Sequence, residues 1–197
     1  MKTVLFAVLA ACATAAAAEP TPAQVQATLE RDFHAKGQAT LDRTAQDALQ
    51  RVCTDSHDNP PAGLVKALQE DQMKTIAWPS GSLMGDWKRG EKIAQSGKGM
   101  TWKDKPGKAA GGSCYNCHQL SPKEESFGTI GPSLRGLGKT RGTSAQAQRY
   151  VYGKIYDAKA YALCSQMPRF GTSGTLDEQQ IKDLVGLLLD PASPVNQ

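Results

Sequence analysis

Cys114-Tyr115-Asn116-Cys117-His118 places two thiols three positions apart beside an imidazole. This is the spacing of c-type haem attachment. The thiols add to the two vinyl groups of one haem, and the adjacent histidine falls beneath the iron as an axial ligand. The same five residues would also serve a structural disulfide or a redox dithiol that happens to precede a histidine. A second axial ligand and an oxidising compartment would decide for the haem. The other histidines are His34 and His57, both in the first third of the chain. The methionines that follow the N-terminal segment are Met73, Met84, Met100 and Met167, and Met167 stands directly before Pro168. A proline restrains the residue before it and carries no amide donor, which helps to aim the Met167 thioether.

The N-terminus reads as an export segment. Lys2 supplies the charge, residues 3–10 are apolar, and Ala16-Ala17-Ala18 gives a small-residue cleavage pattern ahead of Glu19-Pro20. A cleaved signal over residues 1–18 is the preferred reading, and it is far too short to span a bilayer. Leu9-Ala10-Ala11-Cys12 also resembles a bacterial lipoprotein box in which Cys12 would be lipidated, although the apolar run before it is very short. Cleavage removes one lysine from 23 basic residues and none of the 19 acids, leaving a net charge near +3. No basic tract is dense enough for nucleic acid, and no later apolar run is long enough for a membrane span. Of the five cysteines, Cys53, Cys114, Cys117 and Cys164 would remain. A haem takes two, and the leftover Cys53 and Cys164 would tend to pair in an oxidising compartment. Such a bond closes a long loop, worth up to ~4.7 kcal/mol in the chain-entropy model. The alternatives are two free cysteines, or Cys164 as an iron ligand.

The elements that must position these residues read as helices. Thr21-Pro22-Ala23-Gln24 offers an N-cap, a proline at the first helical position and a box-like glutamine. Val25, Leu29 and Phe33 then share one face. Leu41, Ala45, Ala48, Leu49 and Val52 recur at helical spacing and lead into Cys53. Residues 58–63 break the pattern, and Leu64, Val65, Leu68 and Ile76 predict a third helix that stops at Trp78-Pro79. Residues 85–94 read as one amphipathic helix, followed by a loop over 97–112 rich in Gly and Lys. Residues 119–143 carry seven glycines or prolines and little periodicity, as expected of loops wrapped around a macrocycle. Thr175 and Glu178 suggest a capping box for a last helix, whose stripe is Ile181, Leu184, Val185 and Leu188, widened by Leu187 and Leu189 and ended by Pro191. The expected architecture is all-α, with a signal over 1–18, a helical extension over 19–84 and a haem domain over 85–197.

A helix, a haem signature, a loop-rich middle and a closing helix resemble class I cytochrome c over residues 85–190. Gly131-Pro132-Ser133-Leu134-Arg135-Gly136 is similar to that family's Gly-Pro-x-Leu-x-Gly segment, whose proline carbonyl accepts a hydrogen bond from the ligating histidine. The resemblance therefore implies that Pro132 orients His118, fixing its ring and raising its basicity. It also implies one covalent haem c on Cys114 and Cys117, with His118 and Met167 on the iron, because a Met-Pro pair at this distance is the family's second-ligand pattern. His/Met ligation raises the haem potential and fills both axial positions.

The ending is more specific. Met167-Pro168-Arg169-Phe170-Gly171, Leu176, the 179–189 helix and Asp190-Pro191-Ala192-Ser193-Pro194-Val195-Asn196 resemble the SoxX family of the bacterial sulfur-oxidation system. The resemblance implies a non-catalytic electron-transfer subunit of a heterodimer with SoxA, which carries the active-site haem. Together the two conjugate thiosulfate oxidatively to a cysteine of SoxYZ, and a small carrier cytochrome takes the electrons. A free-standing periplasmic cytochrome c is the alternative. A haem enzyme in its own right, such as a peroxidase, would need an open iron and distal acid–base groups, and beyond His118 the downstream half has no histidine. Arg135, Lys139, Arg141 and Arg169 lie near the haem-wrapping segments. They would either steer an anionic substrate or an acidic partner, or simply pair with propionates and form a solvated surface.

Overall fold

The computed structural model describes residues 19–107 and 109–197. Its regular structure is helical, and the described residues contain no strand beyond an isolated bridge between Lys36 and Ala39. The chain divides into two compact units at His34–Ala35.

The first unit holds α1, Pro22–Asp32. It is capped as the sequence predicts: the Thr21 hydroxyl accepts from the Gln24 amide while the Gln24 side chain takes the Thr21 N–H. Val25 and Phe33 remain exposed.

The second unit runs from Ala35 to Gln197. Its first stretch departs from the expected helix over 41–52. Leu41–Thr44 forms only a 3-10 turn, and α2 begins afresh at Ala48–Asp55, capped by Asp47 and Gln50 in a reciprocal box. The side chain of Asp47 competes for its own backbone neighbours, and this interrupts a run whose apolar spacing alone would continue. Residues 35–44 are held instead by side chains. The Gln38 amide donates to the carbonyls of Gly99, Thr101 and Asp104, Arg43 donates to the Met100 carbonyl, and the Lys36 ammonium lies 3.6 Å from the Trp102 ring centre. α3, Ala62–Thr75, follows the predicted break, and Ile76 and Leu83 then enter the core.

α4, Trp87–Gln95, and α7, Glu178–Leu189, cross closely. Gly90 makes this approach possible. A Cβ there would lie 2.1 Å from the Asp183 carbonyl oxygen and 3.0 Å from Leu187 Cβ. The predicted stripe of α7 is buried throughout, with Ile181, Val185, Leu187 and Leu189 fully enclosed. Its N-cap is Asp177 paired with Gln180, two residues beyond the expected Thr175 and Glu178, so Glu178 is the first helical residue instead of the box partner. Two further helices complete the unit: α5, Leu137–Arg141, and α6, Ala145–Tyr156. α6 has no counterpart in the sequence reading. Its signal lies in Ser144, which caps it, and in Ala147, Val151, Tyr152 and Ile155, which bury one face.

One polar group is enclosed within the α4–α7 contact. The buried Asp183 carboxylate accepts from Arg89 Nε at 2.7 Å and Nη2 at 2.9 Å, from the Asp86 N–H at 2.9 Å and from Gln179 at 2.9 Å. Burial alone would raise this carboxyl, but the hydrogen bonds from Arg89, Asp86 and Gln179 outweigh it and hold it below its ordinary value. Asp183→Ala is expected to cost about 2–3 kcal/mol in denaturant unfolding. The lowered carboxyl contributes stability that is fully present above the unfolded pKa of about 4 and is lost as pH falls through the folded value. Unfolding of the native protein should therefore grow easier below about pH 4, and less steeply in Asp183→Ala.

Candidate functional site

Ser113 adopts a left-handed conformation, φ 48° and ψ 39°, and turns the chain into a 3-10 turn over Cys114–Asn116. The N–H groups of Cys117 and His118 both donate to the Cys114 carbonyl, at 3.1 and 2.9 Å. A 3-10 turn stacks residues three apart, which suits two thiols that must reach one planar partner. Both thiols are free, whereas Cys53 and Cys164 are joined by a disulfide with 5.5 Å between their Cα atoms. Cys164 is thereby unavailable as an iron ligand. Burial pushes the Cys114 thiol up to about 12. A redox dithiol needs the opposite shift, toward an accessible thiolate.

The imidazole is oriented by a second segment laid along the first. Gly128 N–H donates to the Tyr115 carbonyl, Gly131 N–H to Cys117 and Leu134 N–H to Gln119, each at 2.8 Å. This pairing sets the Pro132 carbonyl 2.7 Å from His118 Nδ1. A carbonyl can only accept, so Nδ1 carries the proton and Nε2 keeps its lone pair for a metal. Gly131 is the floor of the ring: a Cβ there would lie 2.2 Å from His118 Cε1 and 2.5 Å from Nδ1. The sequence reading singled out Pro132 but missed Gly131, whose side chain is excluded by the imidazole itself.

Met167 is half-buried and packs against the same core as Cys114, Leu134, Leu137 and Tyr156. Its N–H donates to Ser165 Oγ at 3.2 Å. Met73 and Met84 also touch the core, whereas Met100 is 39% exposed. His34 and His57 are exposed, and His57 sits at φ 49° in the turn after α2. The four cations named from sequence do not form one cluster. Arg141 lies over the Tyr150 ring at 4.5 Å, and Arg169 pairs with Asp47. Arg135 and Lys139 are exposed and in no ion pair among the described residues. Burial alone would raise the Asp47 carboxyl, but the Gln50 amide and the Arg169 guanidinium outweigh it and hold it below its ordinary value.

These residues fit a covalently held haem. Two free thiols share one turn, an imidazole has one nitrogen engaged and the other available, and an apolar wall lies beside them. An all-helical scaffold carrying such a turn defines the class of covalent-haem electron-transfer proteins. Residues 88–190 match the family model for cytochrome c. The chain is also 39% identical over 158 residues to an uncharacterized lipoprotein of Aquifex aeolicus (strain VF5), covering 78% of this chain and 74% of that protein. The crystal structure of SoxXA from P. pantotrophus is similar at 28% identity and a TM-score of 0.41, with 58% of this chain and 87% of that one covered. The chain belongs to the cytochrome c family. Membership implies covalently bound haem c and a role in electron transfer, on an all-α, class I cytochrome c-like fold.

Gly131→Ala tests the ring floor. The added methyl must displace the imidazole or the Gly128–Leu134 pairing, so the haem-loaded protein should lose about 1–3 kcal/mol of stability. Imidazole proton resonances should report a weakened Nδ1–H bond to Pro132.

Proposed function

We propose that this chain is a monohaem, SoxX-like subunit that takes electrons from the oxidative conjugation of thiosulfate to a cysteine of SoxYZ, with SoxA as its partner. The observation that carries the reading is the sequence from Met167 to Asn196. It joins a Met-Pro ligand pair to the helix and Asp190-Pro191 ending that resemble SoxX. In this reading the haem domain spans 85–197, the helical extension 19–84 and a cleaved signal 1–18.

Cys114 and Cys117 would hold one haem covalently, and the bound haem would supply one-electron exchange. His118 would offer Nε2 to the iron while its Nδ1–H stays on the Pro132 carbonyl, which fixes the tautomer and raises the basicity of the ligating nitrogen. Met167 would be the second side-chain ligand. With the iron held by two side chains of this chain, substrate binding and the bond-forming step would fall to SoxA. A small carrier cytochrome then accepts the electrons.

The export segment read from the sequence fits this reading, because the cytochrome resemblance implies haem attachment outside the cytoplasm. The signal segment and Cys12 lie outside the described residues. Among the described residues no helix is long and apolar enough to cross a membrane. The relative described as a lipoprotein favours a second reading of the N-terminus, in which Cys12 is lipidated and holds the protein at a membrane surface. Either way the haem domain lies on the periplasmic side.

Mass spectrometry of the mature protein should show one added haem that survives denaturation. Its N-terminus separates cleavage after Ala18 from lipidation of Cys12. Function is tested by reconstituting thiosulfate oxidation with this chain alone, with SoxA alone and with both. Turnover is expected only with both. Turnover by this chain alone would overturn the electron-transfer role, and full turnover without it would leave a free-standing carrier.

A further inference from the structure

α2, which lies ahead of the haem turn in the chain, reaches the Met167 segment on both sides of the methionine. Three residues before Met167, Cys164 is bonded to Cys53 of α2. Two residues after it, the Arg169 guanidinium pairs with Asp47, the N-cap of the same helix. The turn just upstream is braced within itself. The buried Lys159 ammonium donates to the Leu163 carbonyl at 2.8 Å, closing the turn that delivers Cys164. Met167 itself borders a polar cavity of about 310 Å³, whose other walls include Gln50, Cys53 and Lys159. Without lateral support, a loop beside such a cavity has room to swing its thioether away.

We infer that α2 is a clamp on the second axial ligand, with Asp47 and Cys53 acting as positioning residues that hold Met167 against iron. The inference rests on the reading of Met167 as that ligand. It assigns a function to part of the extension that the cytochrome match over 88–190 does not include.

The clamp can be loosened without unfolding α2. Asp47 does two things through different oxygens: Oδ1 accepts from the Gln50 N–H at 2.8 Å and Oδ2 pairs with Arg169. Asparagine is an equally good N-cap, so Asp47→Asn keeps the helix start and removes only the ion pair. The disulfide can be opened chemically on the purified haem protein. A thiol reductant cleaves Cys53–Cys164 but not thioethers. The freed thiols are then blocked with N-ethylmaleimide and the iron is reoxidised.

The readout is ferric haem and its affinity for added imidazole, which binds only when the methionine is off. Apparent affinity scales with the fraction of protein in that state. Asp47→Asn should tighten apparent imidazole binding roughly threefold, as for a partly exposed ion pair. Opening the disulfide should tighten it more than about tenfold, and the methionine-to-iron charge-transfer absorption should fall in step. Asp183→Ala is the control, since it weakens the fold at the α4–α7 contact, away from the Met167 segment, and should change imidazole affinity far less than disulfide opening does.

Met167→Ala, measured in parallel, separates the two levels of the reading. If it leaves absorption and imidazole affinity unchanged, Met167 is not the ligand and the clamp falls with it. If it changes both while disulfide opening and Asp47→Asn change neither, the ligand stands and the clamp is refuted. An equal response from Asp183→Ala would also refute it, because the effect would then be general destabilisation. The disulfide experiment starts from native protein, so poor accumulation of Asp47→Asn does not block the test.

Discussion

The hydrogen bond between His118 Nδ1 and the Pro132 carbonyl is the constraint around which the site is built. It settles the tautomer, and the tautomer settles which nitrogen can bind a metal. Three things have to be true for it to form. Residues 128–134 must lie along 115–119, which the Gly128, Gly131 and Leu134 amides ensure. Position 131 must lack a side chain, because the ring occupies that space. The turn at Cys114 must be anchored to the scaffold, and the Gly112 N–H does this by donating to the Ile93 carbonyl of α4 at 2.8 Å. α4 is in turn fixed by its crossing with α7, so the closing helix helps to position a histidine far upstream in the chain.

The parts of this arrangement that were legible in the sequence are those governed by short-range rules. A thiol–thiol–imidazole spacing is local chemistry, and so are the Thr21 cap, the amphipathic helix near residue 90 and the leucine-rich stripe of α7. Residues 119–143 looked like plain loop and are mostly that, apart from the short α5. The misses have physical causes. The run from Leu41 to Val52 has helical apolar spacing, but Asp47 is a better cap than interior residue and restarts the helix there. α6 escaped notice because its buried face mixes Ala147, Gly153 and tyrosines with only two aliphatics, so its hydrophobic contrast is weak. The Asp177 cap was overlooked because Thr175 and Glu178 offer the same pattern two residues earlier. Gly131 acts through the His118 ring thirteen residues earlier, a contact that no periodicity marks, and Asp47 acts through Arg169, far away in the chain.

The His118 and Met167 segments are therefore held by different kinds of contact. The surroundings of His118 are assembled within residues 112–134, from backbone hydrogen bonds and one excluded side chain. The Met167 segment is held by non-local contacts. Met167 follows a tight turn held by Lys159 and is tied through Cys164 and Arg169 to a helix more than a hundred residues earlier in the chain. A contact of that separation carries a large loop-closure cost unless it is made covalent, and the disulfide supplies the covalent link. The ion pair beside it then needs only to choose an orientation for a segment already held nearby. The His118 geometry thus rests on contacts within one short stretch, whereas the position of the Met167 segment depends on α2. Under the proposed ligation, the segment from Asp47 to Cys53 is as much a part of the iron site as the residues that would touch the metal.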